Sequence, residues 1–340
     1  MLFSIVIPVY NVERYLDECL QSIIGQVKDV VEGCELILID DGSKDESGKI
    51  CDQYQKKYPN LIKVLHNTNH GLLLTRRYGF KMVEGDYIIN CDSDDCLEKG
   101  ALKKLRDAII RYQYPDVIFF NHYMYDGKEK TQTFKDIFTN KESCAVAREK
   151  VLREFLTRHS IVSMCGKTYK RECIDQERDY TKYARVSNGE DTLQSLEIFE
   201  KAKTFVYLNE SLYDYRAGSG MTNNFDSEYY FAFKEVFEKV KEYQNSWRLP
   251  DFERLFAIKV MQTAGRAITQ SRYNHWTSYR KHKNYLQKIY EDEMFQENVA
   301  QVDEIKNSLQ KDHYILLKLL QKKMYLAIIT LLNAKNKLDR

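Results

Sequence analysis

The stretch Tyr87-Ile88-Ile89-Asn90-Cys91-Asp92-Ser93-Asp94-Asp95 passes from a short apolar run to three carboxylates within four residues. A run this short and this rich in isoleucine suits a buried strand, and polar residues at its carboxyl end stand where α/β sheets bind ligands. Crowded carboxylates repel one another, so a divalent cation and water accommodate them best. Asp92, Asp94 and Asp95 are hard oxygen donors suited to Mg2+ or Mn2+, and so few of them leave part of an octahedral shell to water and phosphate oxygens. A phosphate-bearing substrate is the first expectation. The plainer reading of the same residues is an aspartate-rich turn that caps a helix starting near Lys99.

Working outward, Phe3 to Val9 and Glu35 to Ile39 are apolar runs of the same kind, and Ile62 to Leu65 fits a further strand. Between them, Glu13 to Gln26 carries Tyr15, Leu16, Leu20, Ile23 and Ile24 at helical spacing, and a second helix runs from the Asp40-Asp41-Gly42-Ser43 loop through Tyr58 to the stop at Pro59-Asn60. Buried parallel strands joined by crossover helices explain the alternation, which predicts an α/β sheet flanked by helices. Asp116 to Tyr123 reads as another strand and Ala145 to Arg158 as a helix. From Phe225 onward tyrosine, lysine and glutamate recur at helical periodicity, interrupted at Leu249-Pro250, so residues 225–340 are expected to form a separate helical region.

Composition excludes several classes. The 340 residues carry a formal net charge of +2 with lysine plus arginine nearly balancing aspartate plus glutamate, so general nucleic-acid binding is not expected. Eight cysteines are scattered without a C-x-x-C pair, which suits free thiols in a reducing cytoplasm. The apolar start, Met1 to Pro8, lacks a basic region and a small-residue cleavage site, and no uninterrupted run approaches the roughly 20 apolar residues of a membrane-spanning helix. A cytoplasmic protein, peripheral on the membrane at most, is expected. Tyr314 to Leu332, broken by Lys318, Gln321, Lys322 and Lys323, suits one amphipathic helix with a basic face.

Ser4-Ile5-Val6-Ile7-Pro8-Val9-Tyr10-Asn11, then Leu38-Ile39-Asp40-Asp41-Gly42-Ser43, then Asn69-His70-Gly71 with Arg76 and Gly79, then Asp92-Ser93-Asp94-Asp95, resemble in order and spacing the family 2 glycosyltransferases of the GT-A fold. The likeness is closest over about residues 1–105, looser over about 160–220, and absent after Phe225. It implies a catalytic domain over 1–224, with 1–105 as the nucleotide-sugar and metal half and 106–224 as the acceptor half. Pro8, Val9 and Tyr10 would then lie beside the base, Asp40 would accept from a uracil N–H, and Arg76 would complement the diphosphate. Asp94 and Asp95 would face Mn2+ or Mg2+, with Asp92 and Ser93 on the nucleotide-sugar side. Arg77 stands where the family more often has asparagine, and a solvated surface position is the preferred reading.

Ser187-Asn188-Gly189-Glu190-Asp191 resembles the family's Glu-Asp motif, which makes Asp191 the general base that activates an acceptor hydroxyl, with Glu190 beside it on the acceptor side. Plain helix capping reads the same carboxylates. Lys167, in a segment resembling the family's acceptor side, is a further candidate there, and Arg216 is a candidate clamp over the diphosphate, with Gly218 and Gly220 lending mobility. His66, His70 and His122 lack partners at metal-ligand spacing and read as loop or core residues.

The resulting expectation is an inverting, metal-dependent transferase that moves a hexose, galactose or glucose by family habit, from a UDP-sugar to a hydroxyl of a lipid-linked or protein-linked bacterial glycan. A catalytically silent nucleotide-sugar-binding partner of another transferase is the alternative. A nicotinamide dehydrogenase is disfavoured because no G-x-G-x-x-G follows the first strand. The C-terminal helices suit packing against the catalytic domain or a second subunit, which is preferred, or rest on anionic lipid.

Overall fold

Phe3–Val9 is buried at every position and forms β1, the strand on which the sheet is built. Alternate residues face opposite layers: Phe3, Ile5 and Ile7 join a core with Leu16, Leu20 and Ile23 of α1 (Leu16–Ile24), while Val6 faces the other side. The computed structural model describes residues 1–126, 128–132, 142–158, 161–184, 186, 188–217, 225–274 and 276–338. After α1 come β2 (Cys34–Asp40), α2 (Ser47–Lys57), β3 (Ile62–His66), α3 (Leu72–Phe80), β4 (Tyr87–Asn90), the short β5 (Cys96–Leu97) and α4 (Ala101–Arg111). Then follow β6 (Val117–Tyr125), β7 (Lys130–Gln132), β8 (Cys144–Val146), α5 (Arg148–Thr157), β9 (Lys167–Lys170), α6 (Glu190–Lys201) and the long β10 (Phe205–Arg216).

Among the described residues these strands form one sheet in the order β3-β2-β1-β4-β9-β6-β10-β5, with β7 on β6 and β8 on β10. The α/β class is as the alternation predicts. β1 pairs in parallel with β2 and β4, placing Val9 opposite Asp40 and Val6 opposite Asn90, so the polar ends of three strands open on one edge. α3 lies directly on the sheet at Gly79, where a Cβ would stand 2.6 Å from Val6 and 2.7 Å from Ile39. That approach fixes the height of Arg76, one turn earlier, above the strand ends.

Two boundaries differ from expectation. The segment starting at Ala145 is first a strand, with Val146 opposite Phe205, and becomes helical only at Arg148. The expected single helix over Tyr314 to Leu332 is two, broken at Lys323, whose φ of 56° leaves helical space.

By its contacts the chain divides into two units, one of Met1–Glu154 with His159–Gly220 and one of Phe155–Arg158 with Met221–Arg340. The second is helical: α7 (Tyr229–Lys241), α8 (Gln244–Trp247), α9 (Phe252–Gln270), α10 (Tyr279–Glu291), α11 (Glu293–Val299), α12 (Lys311–Gln321) and α13 (Tyr325–Leu338). Its centre is α9, buried along Phe256, Val260, Met261, Ala264 and Ile268. α12 crosses it at Gly265, where a Cβ would come within 2.8 Å of His313. Among the described residues no helix is long and apolar enough to cross a membrane, and the eight cysteines are free thiols.

Candidate active site

At the carboxyl end of β4 the chain turns back, with the Asp95 N–H donating to the Asp92 carbonyl at 3.0 Å. β10 pins this turn. Tyr213 Oη accepts the Asp92 N–H at 3.0 Å and donates to Asp95 Oδ2 at 2.7 Å, while the Arg216 N–H donates to Asp95 Oδ1 at 2.7 Å. Burial, together with the charges of Asp92 and Asp94, pushes the Asp95 carboxyl up to about 8. Asp95 is buried with both oxygens held by the protein, so the metal contact expected of it would share them with Tyr213 and the Arg216 N–H. Ser93 is buried too. Asp92 and Asp94 are the half-exposed members of the run.

Arg216 also differs from expectation. Its guanidinium lies between the rings of Tyr15 and Tyr125, at 4.7 and 5.0 Å from their centroids, and its Nε donates to the Asp94 carbonyl at 2.8 Å. With Nη2 on Glu18 besides, it is a fixed brace under the aspartate turn rather than a swinging clamp. Gly218 and Gly220 lie outside the described residues.

Arg76 is fully buried and makes two charge-assisted contacts. Nη2 donates to Asp92 Oδ1 at 2.8 Å and Nη1 to Asp191 Oδ1 at 2.6 Å. Burial opposes its charge, and the two carboxylates outweigh that and hold the guanidinium protonated well above its ordinary range. A diphosphate contact was expected here, and the structure instead spends both nitrogen ends on the protein's own carboxylates. α3 is anchored for this purpose by Asp41, whose oxygens accept the His70 and Gly71 N–H groups at 2.8 and 2.9 Å just before the helix begins. Gly71, at φ 86°, makes the entry turn possible.

Asp191 stands in the first turn of α6, which starts after Gly189 at φ 95°. Its Oδ2 accepts the Met164 N–H at 3.4 Å, and its side chain keeps 29% exposure. Burial and the Asp191 charge push neighbouring Glu190 up to about 7. Ser187 lies outside the described residues.

Lys167 is corrected from an acceptor-side contact to an internal support. It is completely buried on β9, and its ammonium donates to the carbonyls of Ile161 at 3.1 Å, Val162 at 3.0 Å and Ser163. Desolvation pushes it down to about 7. By gathering these carbonyls it shapes the segment that delivers the Met164 N–H to Asp191. Lys167→Met should lower the melting temperature by several degrees, the effect of about 1–3 kcal/mol from unpaired buried groups. Sugar transfer should fall about tenfold with donor binding unchanged, read by thermal melts beside kinetics. Equal loss of donor binding would show that the segment serves the whole pocket.

Arg77 is not on the surface. Its Nη1 pairs with buried Glu197 at 3.1 Å, its Nη2 donates to the Asp175 carbonyl, and its guanidinium covers the Tyr180 ring at 4.5 Å. A cation this deep is tolerated because a carboxylate, a carbonyl and a ring all receive it.

The nucleotide-side residues lie at the ends of β1 and β2. Pro8 and Val9 are buried and Tyr10 is 45% exposed, available for stacking. The loops after the two strands are stitched together: the Asn11 N–H donates to Ser43 Oγ at 3.1 Å and the Val12 N–H to Ser47 Oγ at 2.9 Å. Asp40 is buried, with Oδ1 accepting the Ser43 N–H at 3.0 Å and Oδ2 bonded to His66 Nδ1 at 2.9 Å. Burial raises its pKa, and the bonds from Ser43 and His66 outweigh burial and hold it below the ordinary carboxylate range. Both oxygens are engaged, so the expected uracil contact would share them with Ser43 and His66. His66 itself bridges Asp40 and Asp52, and burial pushes His122 down to about 4.

Sequence reasoning missed Tyr213, Glu18 and Glu197. Tyr213 stands only three residues before Arg216, but a hydroxyl's partner leaves no pattern in the chain.

The sequence profile described as Glycosyl transferase family 2 matches residues 4–177, half of the chain and the whole run from β1 through Asp92–Asp95 to β9. The chain belongs to glycosyl transferase family 2. It is 30% identical over 253 residues to the glycosyltransferase GlyG of Streptococcus pneumoniae serotype 4, covering 70% of this chain and 79% of GlyG. It is 30% identical over 223 residues to GlyA of the same organism and 30% over 216 residues to the minor teichoic acid biosynthesis protein GgaB of Bacillus subtilis. These alignments cover 64% and 63% of this chain but only 31% of GlyA and 23% of GgaB, so the chain matches a minor part of those two. Staphylococcus aureus TarS 1–349 in complex with UDP-GlcNAc superposes with a TM-score of 0.71, covering 100% of this chain and 93% of TarS 1–349 at 18% identity. That likeness establishes the GT-A fold.

Proposed function

We propose that this family 2 chain transfers a hexose from a UDP-sugar to a hydroxyl of a bacterial surface glycan or glycopolymer, with inversion at the anomeric carbon. The observation that carries the reading is Arg76, whose single guanidinium holds Asp92 and Asp191 together. The carboxylate of the aspartate turn and that of the Glu-Asp motif are thereby held at one guanidinium, which puts a donor-side and an acceptor-side group next to each other, as the proposed displacement needs. TarS in complex with UDP and with UDP-GlcNAc supports the nucleotide, and the teichoic acid names among the relatives support the polymer class.

In this reading Tyr10 stacks on the base and Asp191 accepts the acceptor's hydroxyl proton as its oxygen bonds to the anomeric carbon and the sugar–phosphate bond breaks. Asp94, with Asp92 beside it, fits Mn2+ or Mg2+ as a hard-oxygen donor pair. Among the described residues no three His, Cys, Asp or Glu side chains are grouped to hold a metal, so the protein would supply only part of a shell and the diphosphate the rest. Such an ion neutralises charge on the departing diphosphate.

A panel of UDP-sugars, tested for turnover by the purified chain, checks the proposal. Turnover of one UDP-hexose, reduced at least tenfold by chelator and restored by Mn2+, is the expected result. Thermal stabilisation by UDP without turnover on any acceptor would instead identify a silent nucleotide-binding partner.

A further inference from the structure

The break at Lys323 matters for more than helix count. The Lys323 N–H donates to the Leu320 carbonyl at 2.8 Å and the Met324 N–H to the Leu319 carbonyl at 2.9 Å, closing a tight turn between α12 and α13. These two helices and α10 line one open groove. Leu326 is 66% exposed, and Ile315, Tyr279, Leu331 and Met324 are each 46–50% exposed. Five large apolar side chains in one groove differ from the scattered exposed hydrophobics that any surface carries.

Among the described residues the groove's charge is of one sign: Lys283 and Lys323 line it and no carboxylate does. Other lysines of the same helices are neutralised, Lys318 by Asp303 at 2.9 Å and Lys335 by Asp312 at 2.7 Å. Among the described residues Lys283 and Lys323 have no carboxylate within ion-pair distance; their ammonium groups lie 5.7 Å from the Tyr325 ring and 4.9 Å from the Tyr290 ring. Lys322, beside Lys323, is exposed as well.

We infer that this groove is a docking surface for an anionic lipid bilayer. Leu326, Leu331, Ile315 and Met324 enter the boundary between headgroups and acyl chains, and Lys283, Lys322 and Lys323 meet the phosphates above it. Tyr279 has the amphipathic ring that favours this depth. A second copy of the chain fits less well, because a two-fold contact would set the same unpaired lysines against each other. An acidic protein would answer the lysines but leaves the exposed leucines at 66% and 47% without a reason.

Co-sedimentation of the full chain with vesicles tests the assignment. Vesicles containing phosphatidylglycerol should bind at least about tenfold more chain than pure phosphatidylcholine vesicles at low salt, and the excess should vanish at about 0.5 M salt. The double variant Leu326→Glu with Leu331→Glu should lose binding to both vesicles, while Lys283→Glu with Lys323→Glu should lose only the anionic preference. Circular dichroism and UDP-sugar turnover should be unchanged in both, since these residues lie on the helical unit's surface. No sedimentation of the parent chain with either vesicle, or full binding by the leucine variant, overturns the proposal. A parent dimer that the leucine variant disperses would assign the groove to a second copy.

Discussion

Asp191→Asn should slow sugar transfer by about a thousandfold while UDP binds within about twofold of its original affinity. The exchange is nearly isosteric. An amide oxygen can still accept the Arg76 Nη1 hydrogen bond now made at 2.6 Å, so the buried guanidinium keeps a partner and the α6 turn keeps its place. What disappears is the basic oxygen that takes a proton from an acceptor hydroxyl. Kinetics at saturating donor, set beside calorimetry of UDP binding, separate the two. Loss of rate and of UDP affinity in equal measure would make Asp191 a structural counter-ion of Arg76 and not the base.

Arg76→Met should have the largest effect on stability of any single change in this site. Removing one member of a buried ion pair leaves charge without compensation, at a cost of about 3–5 kcal/mol, and here two carboxylates lose the same partner. For a domain of this size that amounts to a fall in melting temperature on the order of 10 °C. Arg76→Lys should recover little, since one compact ammonium cannot reach Asp92 and Asp191 together as the planar fork does at 2.8 and 2.6 Å. Transfer should fall at least a hundredfold in both variants. A melting temperature within about 1 °C of the parent would mean that water already screens the two carboxylates and that Arg76 is not their tie.

The ends of β1, β2 and β4 were legible in the chain because fully buried parallel strands are continuous apolar runs, and the polar residues after them stand out by contrast. The partners of those polar residues were not. Asp40 turns to His66, Asp95 to Tyr213, and Arg76 to a carboxylate 115 residues away, and no periodicity links such positions. Lys167-Thr168-Tyr169-Lys170 hid β9 for a related reason: it is short and polar in sequence, yet Lys167, Thr168 and Tyr169 are buried. Arg77 was misplaced because an arginine is normally solvated, and only the fold reveals that Glu197 and Tyr180 wait for it. The turn at Lys323 was invisible since a lysine at positive φ carries no signal of the sort that glycine gives.

The strand β9 has a consequence for how the catalytic unit can be divided. It lies antiparallel between β4 and β6, with Ile89 opposite Thr168 and Phe119 opposite Lys167, so the strand that carries the aspartate turn is covered by residues from far along the chain. A fragment ending near residue 105 would expose β4 as a bare edge and strand Arg76 without Asp191. The nucleotide half is a module in sequence only: it completes its own sheet, and charges its own arginine fork, with pieces borrowed from the acceptor half.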